Sequence, residues 1–304
     1  MVGEIDKIIV WENLIYILDR QKAKKLFVFD MDGRFVRTIG QLGKGDGEYL
    51  VLTDFNIYED KIYVSSQQDN KMLIFNLEGE HIKDIRFSGY VGMNFSVLDH
   101  GFVIKSTGGS NKSAMFYNEE GKEKKTIENR KIDFLRFSNP QAFFQYDKCQ
   151  YMYFAMNDTI YQVVGNDLTP KYFVDFGSSS IEYSKFENRD MLDDYLMNGT
   201  YLTMSFFSES SKYYFVKVND RDYTYSVVVT KSNGRLVYGN VINYNGFPIY
   251  DPVGYTSAGP ILLFGPPTVP IYQNIVDNGS RFIPKGFLEL EVNANPGIVI
   301  LKEK

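Results

Sequence analysis

The sequence predicts an all-β fold: a six-bladed β-propeller of four-stranded antiparallel blades, occupying residues 1–304 as a single domain. Three observations carry that expectation. One phrase recurs along the chain at spacings of 46 and 42 residues, a propeller-like period. Tyr and Phe are abundant, at 23 and 24 of 304 residues, which suits pleated, half-buried strands. Amphipathic helical periodicity is almost missing between the strand-like runs, which argues against a parallel α/β sheet.

The recurring phrase is "LFVFDMDGRFVRTI" (Leu26–Ile39), then "MLIFNLEGEHIKDI" (Met72–Ile85), then "AMFYNEEGKEKKTI" (Ala114–Ile127). Gly33, Gly79 and Gly121 hold equivalent places in a turn that needs a positive φ, and alternating residues on either side read as two strands. Weaker copies are centred on Asp158–Gly177 and Tyr225–Gly239. Upstream of the phrase lies another hairpin, seen in "DFNIYEDKIYVSS" (Asp54–Ser66), "FSVLDHGFVIKS" (Phe95–Ser106) and "AFFQYDKCQYMYFA" (Ala142–Ala155). Two hairpins in about 45 residues make one blade. Blades are expected to begin near Ile5, Asp54, Phe95, Ala142 and Leu202. A sixth, irregular one would use Pro260–Gly265, Gly286–Val292 and Gly297–Lys302.

Two helices interrupt this plan. "SKFENRDMLDDYLMNG" predicts a helix over 184–199, capped by Ser184, striped by Phe186, Leu192, Tyr195 and Leu196, and ended by Gly199. "PIYQNIVDNG" predicts a short one over 270–279, with Pro270 in its first turn.

Charge and composition narrow the function. The net charge is −5, and no broad basic face suits nucleic acid. Lys22, Lys24 and Lys25, like Lys122, Lys124 and Lys125, lie beside turns and read as solvated hairpin ends. The single Cys149 has no internal disulfide partner. The start does not read as a signal peptide, because a basic leader and a cleavage site are missing. No run approaches ~20 apolar residues, so no membrane-spanning helix is expected.

The glycine-rich "IGQLGKGDGEYL" (Ile39–Leu50) is the obvious candidate for a phosphate cradle. It fails as a P-loop, because Asp46 and Gly47 stand where Lys and Ser/Thr are needed. It fails as a dinucleotide loop, because Glu48 replaces the third glycine and a strand, not a helix, follows. Tyr49 and Leu50 are instead expected to pack at the blade boundary. No metal site is expected from His81 and His100, which lie in different blades. Asp69–Lys71 and Val218–Asp222 hold oxygen ligands suited to calcium, but read more simply as solvated turns. Cys149 has a neighbouring Lys148 but no predictable base. Ser179 lacks a nucleophile elbow. Asp193 and Asp194, adjacent on a helix, read as a polar face rather than an acid/base pair. No catalytic residue and no cofactor is expected.

Several phrases resemble a known family. "IYILD", "FDMDGRFVRTIGQLGKGDGEYL", "DFNIYEDKIYV", "NDTIYQV" and "NANPGIVILKEK" are similar to the NHL-like six-bladed β-propeller proteins abundant in Bacteroidetes. In that family the glycine phrase reads close to "IGxxGxGPGEY"; here Asp46 replaces the proline. The resemblance implies export, often as a lipoprotein, and a cell-envelope setting in the periplasm or at the outer membrane surface. Relatives usually carry a further strand before the "GEIDKI"-like segment, so the resemblance implies either a truncated chain with an incomplete last blade or a ring closed by another arrangement. NHL-like lyases use several channel histidines, a set this chain lacks.

What remains is a binding surface. Propellers bind where inter-blade connections and second-to-third-strand loops gather. There the sequence places Tyr90, Met93, Phe137, Asn139 and Tyr195 as candidate ligand-binding residues. Aromatics beside amides suit sugar faces or peptide segments. The expectation is non-catalytic recognition of a protein partner or glycan. The rival is a propeller lyase or glycan hydrolase using channel carboxylates or calcium, marked by carboxylates ~5–9 Å apart across the channel. A third reading, a signalling or assembly scaffold, rests on the repeat alone.

Overall fold

The computed structural model describes residues 2–3, 5–89, 94–105, 112–128, 142–154 and 157–239, and the backbone of 242–244, 247–249, 252–256, 259–264 and 297–300. Within these residues the chain folds into five four-stranded antiparallel blades, each an up-and-down meander. Blade 1 is β1 (Lys7–Trp11), β2 (Leu14–Asp19), β3 (Lys25–Asp30) and β4 (Phe35–Ile39). A short parallel pair, β5 (Gln41–Leu42) and β6 (Glu48–Tyr49), follows in the connection. Blade 2 is β7 (Leu52–Tyr58), β8 (Lys61–Ser66), β9 (Lys71–Asn76) and β10 (His81–Arg86). Blade 3 is β11 (Asn94–Leu98), β12 (Gly101–Lys105), β13 (Lys112–Tyr117) and β14 (Glu123–Glu128). Blade 4 is β15 (Phe143–Tyr146), β16 (Cys149–Tyr153), β17 (Thr159–Val164) and β18 (Asp167–Phe173). Blade 5 is β19 (Thr203–Glu209), β20 (Tyr213–Asn219), β21 (Thr224–Thr230) and β22 (Leu236–Gly239).

A hairpin, β23 (Ile242–Tyr244) with β24 (Phe247–Ile249), comes next. It is followed by a three-stranded sheet of β25 (Pro252–Thr256), β26 (Gly259–Phe264) and β27 (Gly297–Ile300). β25 lies beside β1, much as β1 lies beside β7 and β7 beside β11. The first strands of the blades are therefore the inner ones. The expected strand at 286–292 and the expected helix at 270–279 lie outside the described residues.

The alternation in each strand explains the packing. Successive side chains point to opposite faces, so each blade buries apolar residues against both neighbours. Tyr16, Val28, Phe55 and Val64 meet between blades 1 and 2. Ile74, Phe95, Phe102 and Met115 meet between blades 2 and 3. Val103, Phe116 and Met152 join blades 3 and 4, and Tyr153, Ile160, Phe207 and Val216 join blades 4 and 5. The large aromatics are thus mostly inter-blade core. Pro170, which has no N–H to donate, is accommodated on outermost β18 beside a register shift.

The turns match the repeat. Gly33, Gly79 and Gly121 all adopt positive φ. The first hairpins of blades 2 and 4 turn without glycine, with Glu59–Asp60 and Asp147–Lys148 both at positive φ, as a two-residue type I′ turn demands.

The helical insertion needs a correction. α1 spans Arg189–Asn198, and its N-cap is Asn188, whose side chain accepts from the Met191 N–H; Ser184 is not the cap. Ser184 instead sits in a 3-10 turn over Tyr183–Lys185. The stripe is seen as expected: Leu192 is buried with Phe186, Tyr195 and Leu196 packed around it, and Gly199 follows the last turn.

Candidate functional site in the central channel

The inner strands surround a cavity of about 1000 Å³. β1, β7, β11, β15 and β19 contribute to its wall, and the hairpin turns at one end form its rim. Alternation in an inner strand spares some positions from the apolar inter-blade contacts, and here those positions are polar. Asn56, Asn94 and Ser208 line the wall from inner strands, and Gln150 lines it from β16, beside Trp11, Phe144 and Tyr146. Ser96 donates to Gln150 Oε1 at 2.8 Å, tying blade 3 to blade 4. Asn56 Oδ1 takes the Ile57 N–H at 2.8 Å. Among the described residues no protein acceptor takes the amide nitrogens of Asn56 and Gln150, so these remain available to a ligand.

Among the described residues two carboxylates in the wall are buried, and both are spoken for. Asp54 Oδ1 accepts from Lys7 Nζ at 2.8 Å and from the Phe55 N–H at 2.8 Å. Lys7 also donates to the Phe55 carbonyl at 2.7 Å. Burial pushes the Asp54 carboxyl above its ordinary pKa, against the opposing pull of Lys7. Glu209 accepts from Lys231 at 2.5 Å and from the Tyr172 hydroxyl at 3.0 Å. Burial works against the Lys231 charge, but its bond to Glu209 outweighs that and raises its pKa. Lys231 also lies 4.4 Å from the centre of the Tyr146 ring and 4.9 Å from that of Tyr214. Glu12, Asp60 and Asp147 sit on exposed turns at the rim, with Asp60 accepting the Trp11 indole N–H at 3.3 Å.

Of the residues chosen from sequence, Tyr195 is placed on α1. Its ring packs on Phe186 and Tyr201 and its hydroxyl donates to the Thr200 carbonyl at 3.0 Å. It serves the helical insertion and does not line the channel. Tyr90, Met93, Phe137 and Asn139 lie outside the described residues. The channel-lining amides and Trp11 were not singled out from sequence. Polar residues recurring within otherwise apolar first strands, as in "DFN" and "NFS", are the signal that finds Asn56 and Asn94.

The other candidates have structural roles. Asp69 Oδ2 accepts the Leu50 N–H at 3.0 Å, and Asp220 binds the N–H groups of Asp222 and Tyr223 in its own turn. His81 binds Asp84 at 2.8 Å, while His100 is exposed beside Glu119. Asp193 pairs with Arg189 and Asp194 with Asn198, as a polar helix face would. Cys149 Sγ accepts from Gln162 at 3.4 Å. No group of three or more His, Cys, Asp or Glu is arranged to hold a metal among the described residues. No helix among them is long and apolar enough to cross a membrane.

The glycine phrase does cradle an anion, and the anion is its own. Glu48 accepts from the Gly45 N–H at 2.8 Å and from Gln41 Nε2 at 2.7 Å. The Gly45 bond is the main reason its carboxyl sits below the usual range. A Cβ at Gly43 would fall 2.0 Å from Glu48 Oε2, so the loop closes on this side chain only because it carries glycine there. Tyr49 is fully buried between blades 1 and 2, and its hydroxyl donates to the Lys24 carbonyl at 3.2 Å. Leu50 is only half-buried.

A family model described as "Domain of unknown function (DUF4934)" matches residues 1–302. No curated protein matches the chain. Among solved structures, a putative exported protein from Bacteroides fragilis NCTC 9343 is similar, with 18% identity and a TM-score of 0.76. That match covers 98% of this chain and 90% of the other. A member of the DUF4221 family from Bacteroides vulgatus ATCC 8482 is similar at 9% identity and a TM-score of 0.54, over 84% and 86% of the two chains. At such identities the likeness is one of fold.

Proposed function

The chain belongs to the DUF4934 family, whose function is unknown, and from that premise we propose that it is a non-catalytic recognition propeller that holds a glycan in its central channel. The carrying observation is the channel wall: amide and aromatic side chains face a cavity of about 1000 Å³, while the two buried carboxylates among the described residues are paired with Lys7 and Lys231. Aromatic faces stack on the apolar faces of sugars, and amides bind hydroxyls in either sense. A cavity of this size admits a short oligosaccharide and not a folded partner.

Two further parts of the reading go with it. The ring is six-bladed over residues 1–304 as one NHL-like domain, with β25–β27 as strands of the sixth blade; the position of β25 beside β1 supports this. The setting is the cell envelope, supported by the resemblance to exported Bacteroidetes propellers and by the fold shared with an exported Bacteroides protein.

A glycan array probed with the wild type and with Trp11→Ala tests the reading. Saturable binding that Trp11→Ala weakens by about tenfold, the loss of one stacking contact, supports it. Binding to no glycan, together with capture of an envelope protein, moves the function to a protein partner. The raised Asp54 carboxyl favours one rival, a general acid in a glycan hydrolase. Release of sugar fragments that Asp54→Asn abolishes would establish that rival.

A further inference from the structure

The wedge between adjacent blades is filled differently around the ring. Between blades 1 and 2 the connecting segment inserts Tyr49, which is 0% exposed. Between blades 2 and 3 the connection inserts Phe87, edge-on to Phe102 at 5.4 Å and to Tyr117 at 4.9 Å. Between blades 4 and 5 the corresponding connection is the long segment carrying α1. Its Phe176 and Leu202 stay half-buried, and a cleft of about 640 Å³ remains open beside them. The cleft runs from Val216, Val218 and Val227 in its floor to Phe173 and Tyr238 at its outer mouth, which are 66% and 68% exposed.

An open apolar wedge of this size costs free energy in water, since apolar surface that neighbouring wedges bury is left wet. Its volume lies within the range of small-molecule sites, about 300–1,000 Å³. Charge says which small molecule fits. Among the described residues, the charged ones lining the cleft are two carboxylates, Asp175 and Asp220. Asp220 accepts from the Asp222 and Tyr223 N–H groups and from the Tyr225 hydroxyl, bonds that hold its carboxyl below the usual range against the opposing effect of burial. Asp175 takes the Gly177 N–H at 2.8 Å through Oδ1. Arg221, the nearest cation in sequence, is held by both oxygens of Asp222, and its charge also helps to lower the Asp220 carboxyl. Carboxylates beside the negative faces of Tyr and Phe rings favour a cation.

We propose that this cleft is a second binding site, separate from the channel, for a soluble amphiphile with an aliphatic body and an ammonium head. The aliphatic body takes the place that Tyr49 and Phe87 fill at the earlier wedges, and the head meets Asp175 and Asp220. The site does not depend on what the channel binds.

Isothermal titration of the full chain with monomeric dodecylamine hydrochloride, kept below its micelle concentration, tests the proposal. Sodium dodecanoate is the control of opposite charge. The expected result is saturable binding of the amine, at least about tenfold tighter than dodecanoate. Val227→Trp fills the floor and should abolish binding of the amine while leaving the circular dichroism spectrum and unfolding midpoint near wild type. Asp175→Asn should weaken the amine about two- to fivefold, the size of a partly exposed charge contact, and leave dodecanoate no weaker. Should Val227→Trp prove unfolded, Val229→Phe replaces it as the filling variant. Equal affinity for amine and carboxylate, or amine binding indifferent to the filling variant, would overturn the proposal. A concentration-dependent dimer dissolved by Val227→Trp would overturn it in favour of a second copy as occupant. Binding only to phosphatidylethanolamine vesicles, with none of the monomeric amine, would overturn it in favour of a membrane surface.

Discussion

Gly33, Gly79 and Gly121 occupy one position of the repeat in three blades, and replacing each with alanine should give three different costs. Their φ angles are +79°, +86° and +76°, so the backbone strain on a non-glycine residue is nearly the same in all three. That strain is about 1–2 kcal/mol. The surroundings differ. Around Gly33 a Cβ would meet nothing within 4 Å among the described residues. At Gly79 it would come 3.0 Å from the Ile39 Cδ1 methyl, the end of a side chain that can shift. At Gly121 it would fall 2.4 Å from the Arg86 carbonyl oxygen, which is backbone. That backbone is anchored, because the Ser88 N–H donates to the Gly121 carbonyl at 2.9 Å and Phe87 is packed between blades 2 and 3. Overpacking adds about 1–3 kcal/mol where nothing can move. Gly33→Ala should therefore cost about 1–2 kcal/mol, Gly79→Ala only slightly more, and Gly121→Ala about 2–5 kcal/mol. Urea unfolding followed by circular dichroism and by Trp11 fluorescence measures the series. Gly33→Ala costing as much as Gly121→Ala would refute the reasoning, because it would put the whole effect in the turn and none at the blade boundary.

Two other perturbations follow from buried polar groups. Lys105 is almost completely buried, its Nζ has no hydrogen-bond partner among the described residues, and burial lowers its pKa to about 8. The folded state then binds fewer protons than the unfolded chain between about pH 8 and the ordinary lysine value, so stability should rise with pH across that window. Lys105→Met should accordingly stabilise the protein by about 1–3 kcal/mol at pH 7 and by much less at pH 10, read from unfolding midpoints at the two pH values. Tyr49→Phe should cost about 1 kcal/mol for the lost bond to the Lys24 carbonyl, and Tyr49→Ala about 3–5 kcal/mol for the emptied wedge; similar costs for the two in urea unfolding would show that the ring does not fill that wedge.

The strands were legible because two local rules agree in them. Alternation sets the faces of "LFVFD" and "MLIFN", and a positive-φ glycine sets the turn that follows, so the third strand of a blade fixes the register of the fourth. The start of α1 was less legible. Both Ser184 and Asn188 are good caps, and the choice fell to Asn188 because residues 183–185 are taken into a 3-10 turn. The site was the least legible part. Tyr195 reads as a surface aromatic, yet its ring is used by Phe186 and Tyr201 within the insertion. Asn56 reads as an ordinary alternating polar residue, because sequence does not say which strand of a blade lies innermost, and Gln150 lines the channel from the second strand of its blade. The glycine phrase shows the same limit from the other side. Its spacing suggests an anion cradle, and only the fold reveals that Glu48 fills it.

The central claim, capture of a glycan in the channel without turnover, is tested most directly by titrating the best array ligand into the wild type and into Asn56→Trp, then recovering the ligand for mass spectrometry. Asn56 is half-buried and lines the cavity wall, so an indole there obstructs the channel from an inner strand. Capture without turnover predicts one saturable site in the wild type, at least about a tenfold loss of affinity in Asn56→Trp, and a recovered glycan of unchanged mass. Unchanged affinity in Asn56→Trp, or a recovered glycan cut into smaller sugars, would contradict it.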